Sequence, residues 1–191
     1  DIIIVILGND DALKNVYETE NGLKNCDLKN KTIIEMSTTS VDYMKELSNL
    51  ILSQNGSFIE CPVGGSTQPA REGQLLGLMG GNKNEIDSLH YLFTDLFRRY
   101  ECLGKIGKGT AMKLAINLPL LVYWQSLGEA LKLTSQNGIE FKKALDIMMD
   151  TSGACKVAHL KTETILKAYN NSLDGSSTFG LESSLKDMKL M

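Results

Sequence analysis

Lys113 and Asn117 are the residues of this sequence whose types and spacing best suit chemistry on a small molecule. They stand four residues apart in GTAMKLAIN, so a helix would present both side chains on one face. Their neighbours are apolar, and a lone ammonium is costly to bury, so Lys113 either reaches water along its aliphatic stem or acts as an acid and base. In the second case an apolar or electropositive pocket must lower its pKa from about 10.4 toward neutrality. A snorkelling lysine and a surface asparagine remain the alternative.

Three other segments carry residues that could hold a ligand. Gly64 and Gly65, after a predicted strand, would let backbone amides approach a bound molecule closely. The hydroxyl side chains within residues 36–40 follow another predicted strand, at the end where ligands bind in open α/β sheets. Lys186 and Asp187 are adjacent opposite charges near the C-terminus. For all three the alternative is structural: a common turn, a set of helix caps and a solvated ion pair.

The charge balance argues against a nucleic-acid partner. The chain has 191 residues and 42% hydrophobic content, enough for a sizeable core, and 20 basic against 23 acidic residues give a net charge of -3. No run of like charge stands out, so the basic footprint of a nucleic-acid-binding protein is missing.

Cysteine and histidine usage indicates no metal site. The four cysteines lie far apart without a CxxC, which predicts neither a zinc site nor a dense disulfide framework. His90 and His159 are the only histidines, and neither has a second ligand type at metal spacing. No apolar run approaches the roughly 20 residues of a membrane span. We therefore expect a soluble protein of a reducing compartment, the cytoplasm.

The first part of the chain alternates strand and helix patterns, which is typical of an open α/β sheet. Apolar and β-branched runs predict four strands, and apolar residues three and four apart predict helices between them. The predicted strands cover residues 2–7, 32–37, 57–63 and 74–81. The predicted helices cover residues 10–17, the segment after Ser40 and a stretch near residues 84–98.

The second part of the chain reads as helical throughout. Apolar residues recur at helical spacing from residue 110 to residue 136, which predicts one helix about 40 Å long. Residues 141–150, 154–169 and 181–191 also have helical patterns, and no strand pattern returns. We therefore expect an α/β domain at residues 1–105, followed at residues 106–191 by a long connecting helix and an all-helical domain.

Both ends of the sequence predict that the protein continues. Asp1 is followed at once by the apolar run IIIVIL, without a starting Met or the basic segment of a signal peptide. Such a run is typical of a strand buried on both faces, which is an unusual first element. We therefore expect further elements upstream of Asp1. The helical pattern still present at Met191 predicts an incomplete C-terminal domain as well.

Five separated motifs resemble those of the β-hydroxyacid dehydrogenase family, in order and approximate separation. IIIVIL resembles the strand after the family's first Rossmann half, and MSTTS resembles its STxxP-type segment. ECPVGGSTQPAREGQL resembles D/E-x-PVSG with a downstream PAxxGxL. GKGTAMKLAIN resembles the GxGxxxKxxxN helix start, and FGLESSLKDMKL resembles FxLxxxxKDLxL. The family includes 3-hydroxyisobutyrate dehydrogenase, tartronate semialdehyde reductase and the glyoxylate/succinic semialdehyde reductases. TQPAREGQL and MKLAIN are most similar to the last branch, which also contains chromatin-associated relatives.

The resemblance implies an NAD(P)-dependent oxidoreductase that interconverts a small 2-, 3- or 4-hydroxy acid and its aldehyde or keto acid. Residues 1–105 would be the remainder of a Rossmann domain that binds NADH or NADPH, with NADPH favoured by the branch. Residues 106–191 would contain the helix and the domain for dimerisation and substrate, giving a homodimer or homotetramer. Lys113 would pass the proton while the nicotinamide passes hydride, and Asn117 would help to hold substrate and lysine.

The same resemblance assigns the remaining contacts motif by motif. The residues implied to contact the cofactor are Leu7, Thr38 and Lys186. The residues implied to contact the substrate are Gly64, Gly65, Ser66, Phe179 and Asp187.

Two departures from the family pattern leave other functions open. Gly64 replaces the serine of PVSG, which removes a hydroxyl that contacts substrate, and the glycine-rich phosphate loop is expected upstream of Asp1. The alternative is a noncatalytic, oligomeric family member of the chromatin-associated scaffold type, which would be nuclear. An imine reductase shares the layout but usually places another residue at the position of Lys113.

Overall fold

The computed structural model describes residues 1–172 and 180–191, and within them strands and helices alternate before helices alone follow. The strands are β1 (Ile2–Val5), β2 (Thr32–Glu35), β3 (Ser57–Glu60), β4 (Val63–Gly64), β5 (Leu75–Met79) and β6 (Phe97–Cys102). The α-helices are α1 (Asp10–Tyr17), α2 (Val41–Ser53), α3 (Thr67–Arg71), α4 (Lys83–Ser88), α5 (His90–Leu96), α6 (Lys108–Gln136), α7 (Phe141–Met149), α8 (Lys156–Tyr169) and α9 (Leu181–Leu190). This order confirms the predicted α/β region followed by a long helix and further helices.

The first helices begin where polar side chains cap them. The Asn9 side chain accepts a hydrogen bond from the Ala12 N–H at 2.8 Å, and α1 starts at the next residue. Ser40 does the same for α2 by accepting from the Tyr43 N–H at 3.1 Å. Such caps satisfy N–H groups that have no partner inside the helix, so they fix where each helix starts.

The strands form two small sheets that meet at Glu60. Strands β1, β2 and β3 are parallel neighbours in that order, with Glu35 and Glu60 in register. Strand β5 pairs with β4 in antiparallel and with β6 in parallel orientation. The backbones of Glu60 and Gly80 exchange two hydrogen bonds of 3.0 Å, which join the sheets.

Apolar side chains cover both faces of β2 and β3, because successive residues of a strand point to opposite sides. Ile33 and Phe58 face one apolar cluster with side chains of α1 and α2. Ile34 and Ile59 face a second cluster with Ile86, Phe93 and Phe97. Fully burying one such side chain contributes about 1.5–3 kcal/mol, so these clusters are the main stabilising feature of the sheet region.

Within the described residues, strand β1 is buried on one face. Ile3 and Val5 contact the first cluster, whereas Ile2, Ile4 and Ile6 have exposed fractions of 36%, 43% and 58%. The face of β1 that carries Ile3 and Val5 packs against the apolar cluster formed with α1 and α2.

The prediction of one helix near residues 84–98 was wrong at the C-terminal end of that segment. The segment contains two short helices, α4 and α5, and the chain then enters β6 at Phe97. Strand β6 was not predicted because its sequence, FRRYEC, is mostly polar. Phe97 is buried, while Arg98 and Arg99 point to solvent on this sheet edge.

The chain forms two compact units. The first unit comprises Asp1–Asn117 with Thr178–Met191, and the second comprises Leu118–Ser177. Helix α9 belongs to the first unit because Lys186 and Asp187 make polar contacts with residues of that unit. The domain boundary at residues 105 and 106 stays a prediction.

The second unit has an apolar core of its own. Leu127 and Leu131 of α6 pack with Ala144, Leu145, Met149 and Ala158. The rings of Phe141 and Tyr169 stack with centroids 3.8 Å apart, which joins the start of α7 to the end of α8.

Candidate active site

The carboxyl ends of β1 and β2 carry the segments predicted to contact a cofactor. The Leu7 backbone N–H donates to the Ser37 Oγ at 2.8 Å, which holds these two strand ends together. The Leu7 side chain is half-buried against the first apolar cluster. Thr38 is also half-buried, and the neighbouring Thr39 hydroxyl donates to Asp10 at 2.8 Å. The strand ends therefore form an ordered edge that combines the apolar Leu7 with the hydroxyl side chains of Ser37, Thr38 and Thr39.

Asn117 on α6 is buried and is held by α9. Its Nδ2 donates to Asp187 Oδ2 at 2.7 Å, and the exposed fractions of the two residues are 7% and 2%. A charge-assisted bond between two buried groups fixes the rotamer of both. The structure thus brings together two predicted site residues that lie 70 positions apart in the chain.

Lys186 links the same helix to the end of β2. Its Nζ donates to the Thr38 backbone carbonyl at 2.8 Å and lies 3.3 Å from Asp187 Oδ1. Asp187 is therefore shared between Asn117 and Lys186. The result is a continuous polar chain from Thr38 through Lys186 and Asp187 to Asn117, all within the first unit.

Lys113 is half-buried one helical turn before Asn117. Burial lowers the pKa of its ammonium from the ordinary value, the Asp187 carboxylate opposes this shift, and the Lys186 ammonium adds to it. A lysine with a lowered pKa can both donate and accept a proton closer to neutral pH than a surface lysine can. Asp187 and Lys186 of α9 are thus the charged groups that act on the Lys113 ammonium.

Gly64 and Gly65 differ in what they require of the backbone. Gly65 has a φ of 130°, and a Cβ there would lie 2.7 Å from Leu75 Cδ2, so glycine is needed. A Cβ at Gly64 would meet only Leu76 side-chain atoms, the nearest at 3.5 Å, so a serine would fit. Ser66 is exposed before α3 and makes no side-chain cap bond. Phe179 lies outside the described residues.

Glu60 is a site feature that the sequence analysis did not single out. Its carboxylate is fully buried and accepts from the Gly109 N–H at 2.7 Å and from the Thr110 hydroxyl at 2.8 Å. Burial raises the pKa of this carboxyl, and the hydrogen bonds from Thr110 and Gly109 oppose the rise. In the sequence, the feature that could have identified Glu60 is its position at the end of the apolar strand SFIE, directly before CPVGG.

Glu35 is a second buried carboxyl that was missed. It accepts from the Tyr17 hydroxyl at 2.7 Å and from the Ser37 N–H at 2.8 Å. Burial raises the pKa of Glu35, and burial together with the adjacent Glu35 raises the pKa of the Tyr17 hydroxyl. Glu35 thereby orders the backbone just before Thr38.

Within residues 1–172 and 180–191, no group of His, Cys, Asp or Glu side chains is arranged to hold a metal ion. The helices in the same part of the chain are all too short or too polar to cross a membrane. The four cysteines are free thiols.

Comparison with known proteins identifies one matching family and several relatives. Residues 1–105 match the family described as the NAD binding domain of 6-phosphogluconate dehydrogenase. The chain is 30% identical over 190 residues to glyoxylate/succinic semialdehyde reductase 1 of Arabidopsis thaliana, covering 98% of this chain and 63% of that protein. It is 33% identical over 126 residues to the cytokine-like nuclear factor N-PAC of Drosophila melanogaster, covering 66% and 21%.

Solved structures share the fold. A crystal structure of 3-hydroxyisobutyrate dehydrogenase from Salmonella typhimurium superposes with a TM-score of 0.85 at 16% identity, covering 99% of this chain and 64% of that one. The chain thus spans less than two thirds of the length of the proteins it matches here.

Proposed function

Because the chain belongs to the family of the NAD-binding domain of 6-phosphogluconate dehydrogenase, we propose that it is part of an NAD(P)-dependent oxidoreductase for a small hydroxy acid. The family assignment confirms the predicted relationship to the β-hydroxyacid dehydrogenases and the predicted cofactor class, a nicotinamide dinucleotide. The reaction interconverts the hydroxy acid and its aldehyde or keto acid. Glyoxylate and succinic semialdehyde, named for the Arabidopsis relative, are the first substrates to test.

The carboxyl edge of the parallel sheet fits the flat nicotinamide end of such a cofactor. Gly8 is exposed, and a Cβ built there would meet no atom within 4 Å, so a ring can approach the backbone. Leu7 offers an apolar surface beside it, and Thr38 and Lys186 border the same edge. We assign the cofactor contacts to these three side chains and favour NADPH. When bound, the cofactor supplies the hydride chemistry.

Lys113 is the residue that handles the proton in this proposal. In reduction its Nζ donates a proton to the carbonyl oxygen of the substrate, and in oxidation the neutral amine accepts the hydroxyl proton. Asn117, oriented by Asp187, positions the substrate against Lys113. Gly64, Gly65 and Ser66 offer backbone groups to the substrate, and Phe179 is assigned to the same role from its motif.

The observation that carries this proposal is the environment of Lys113. Lys113 is half-buried, burial is the main cause of its lowered pKa, and Asp187 and Lys186 are the charges that act on its ammonium. Asn117 is bonded to the same Asp187 at 2.7 Å.

The test is aldehyde-dependent oxidation of NADPH by the full-length protein that contains this chain. Lys113→Ala should lower kcat by at least about a hundredfold, as expected for loss of a general acid. Lys132→Ala, an exposed lysine farther along α6, is the matched control and should keep wild-type turnover. Comparable turnover in Lys113→Ala would overturn the assignment.

A noncatalytic oligomeric scaffold is the second candidate. The N-PAC match and the replacement of the family serine by Gly64 favour it, and α6 exposes Leu118, Val122 and Leu133, which suit packing against another subunit. Light scattering and NADPH titration separate the two. An oligomer that binds no NADPH supports the scaffold, whereas tight binding with turnover supports the enzyme. A homodimer or homotetramer in the cytoplasm accompanies the enzyme proposal, and a nuclear location accompanies the scaffold.

A further inference from the structure

We propose that Glu60 is a positioning residue that fixes the start of α6 and thereby places Lys113; this inference rests on the proposed function. Glu60 ends β3 and is fully buried, which is costly for a carboxylate without partners. Both of its oxygens have partners at the first turn of α6: Oε1 accepts from the Gly109 N–H at 2.7 Å and Oε2 from the Thr110 hydroxyl at 2.8 Å.

Two glycines make room for this contact. A Cβ at Gly80 would overlap the Glu60 carboxylate, and a Cβ at Gly109 would overlap the Leu78 carbonyl oxygen of β5. Real side chains do not tolerate such contacts, so the helix start can approach the sheet this closely only with glycine at both positions. Glu60, Gly80 and Gly109 therefore act together as a seat for α6.

The face of α6 that contacts Glu60 also carries the candidate active-site residues. Gly109, Lys113 and Asn117 are spaced four residues apart, so they follow one another along one side of the helix. Glu60 holds this face at Gly109, and Asp187 holds it at Asn117. Lys113 lies between the two anchors, about 6 Å along the axis from each.

The seat also links Lys113 to the Gly64 turn. Gly109 lies against Leu78 of β5, and Gly64 is the strand partner of Leu76 on β5. Two residues of a strand span about 6.6 Å. A shift of the α6 start relative to β5 would therefore move Lys113 relative to the segment assigned to substrate, and such misplacement can lower a rate about a hundredfold.

Thr110→Val is the sharpest test, because it keeps the side-chain shape while removing the hydroxyl that donates to Glu60. We expect kcat to fall at least about tenfold while the NADPH Kd stays within about twofold of wild type. Thr110→Ser restores the donor and should recover most of kcat. Glu60→Leu, which removes both acceptors, should have the larger effect if it folds.

Tyr43→Phe is the matched control. It removes a part-buried hydroxyl-to-glutamate bond, from Tyr43 of α2 to Glu18 at 2.6 Å, which involves neither α6 nor the candidate site. We expect it to lower thermal stability as Thr110→Val does while leaving kcat within about twofold of wild type. A fall in kcat equal to that of Thr110→Val would overturn the proposal, because loss of general stability would then explain both.

A readout that needs no turnover separates this inference from the proposed function. Acetic anhydride modifies accessible neutral amines, and mass spectrometry gives the rate at each lysine. Thr110→Val should raise the Lys113 rate at least about threefold with Lys132 unchanged, because a loosened helix start exposes Lys113. Unchanged labelling of Lys113 overturns the inference. If the labelling rate of Lys113 changes but the protein shows no turnover, the inference about Glu60 stands and the proposal that the protein is an enzyme is overturned.

Discussion

The Asn117 amide donates a 2.7 Å hydrogen bond to the Asp187 carboxylate, which also lies 3.3 Å from the Lys186 ammonium. One buried acidic side chain thus joins α6, which carries Lys113, to α9, which contacts the end of β2 through Lys186. Removing it leaves the buried Asn117 amide without this acceptor, whereas the Lys186 ammonium still donates to the Thr38 carbonyl.

Asp187→Ala should therefore lower the free energy of unfolding by about 2 kcal/mol, since a buried hydrogen bond to a charged group is lost. Urea unfolding followed by circular dichroism measures this difference. Asp42→Ala on α2 is the control, because Asp42 is exposed and its ion pair with Lys45 lies at the surface. Equal stability of the two variants would contradict the central role given to Asp187.

The lowered pKa of Lys113 predicts a specific dependence of stability on pH. Folding disfavours the charged form of Lys113, so the folded state is destabilised while Lys113 is protonated in both states. This destabilisation decreases as pH rises above the folded-state pKa, and it is gone above the unfolded-state pKa of about 10.4. Wild type should therefore become more stable relative to Lys113→Met as pH rises toward about 10.4.

Urea unfolding of wild type and Lys113→Met across this pH range measures the effect. The same comparison for Lys132→Met, at an exposed lysine farther along α6, is the control. A constant difference for Lys113→Met would show that Lys113 titrates like a surface lysine.

Gly64→Ser should restore the hydroxyl that the family pattern places in this turn. The nearest atom to a Cβ there is Leu76 Cβ at 3.5 Å, so we expect the variant to fold normally. One added hydrogen bond to substrate should raise kcat/KM about fivefold, which steady-state kinetics would detect. Gly65→Ser is the contrasting variant and should lose stability because of its φ of 130° and the short contact to Leu75. A Gly64→Ser variant with lower kcat/KM would mean that the site prefers glycine.

Gly80→Ala should destabilise the protein by about 1–3 kcal/mol, because its Cβ overlaps the Glu60 carboxylate and one of them must move. Gly128→Ala on α6 is the matched substitution in open space, with no atom within 4 Å of the added Cβ. That change should raise stability by up to about 1 kcal/mol, since alanine favours a helix interior. Thermal unfolding of both variants checks the predicted opposite signs.

The local features of the fold were predictable from the sequence, and the distant contacts were not. Helix α1 begins and ends at the predicted residues because its cap and its apolar positions lie within ten residues of one another. Strand β6 was missed because its burial is limited largely to Phe97, so FRRYEC has no apolar pattern.

In the candidate site, too, the local spacing was predictable and the contacts between distant residues were not. Helical spacing placed Lys113 and Asn117 on one face. No spacing rule places Asp187 against Asn117 across 70 positions, or Gly109 against Glu60 across 49. A glutamate at the end of an apolar strand predicts an exposed side chain until the donors that bury it are known.

The register of Glu60 opposite Glu35 has a consequence for folding fidelity. Because side chains alternate along a strand, a slip of β3 by one residue would turn Glu60 toward the cluster of Ile34, Phe93 and Phe97 and strip α6 of its acceptor. With β3 misaligned, Glu60 could not accept hydrogen bonds from the start of α6. Correct pairing of β3 with β2 is therefore a condition for the contact between Glu60 and the start of α6.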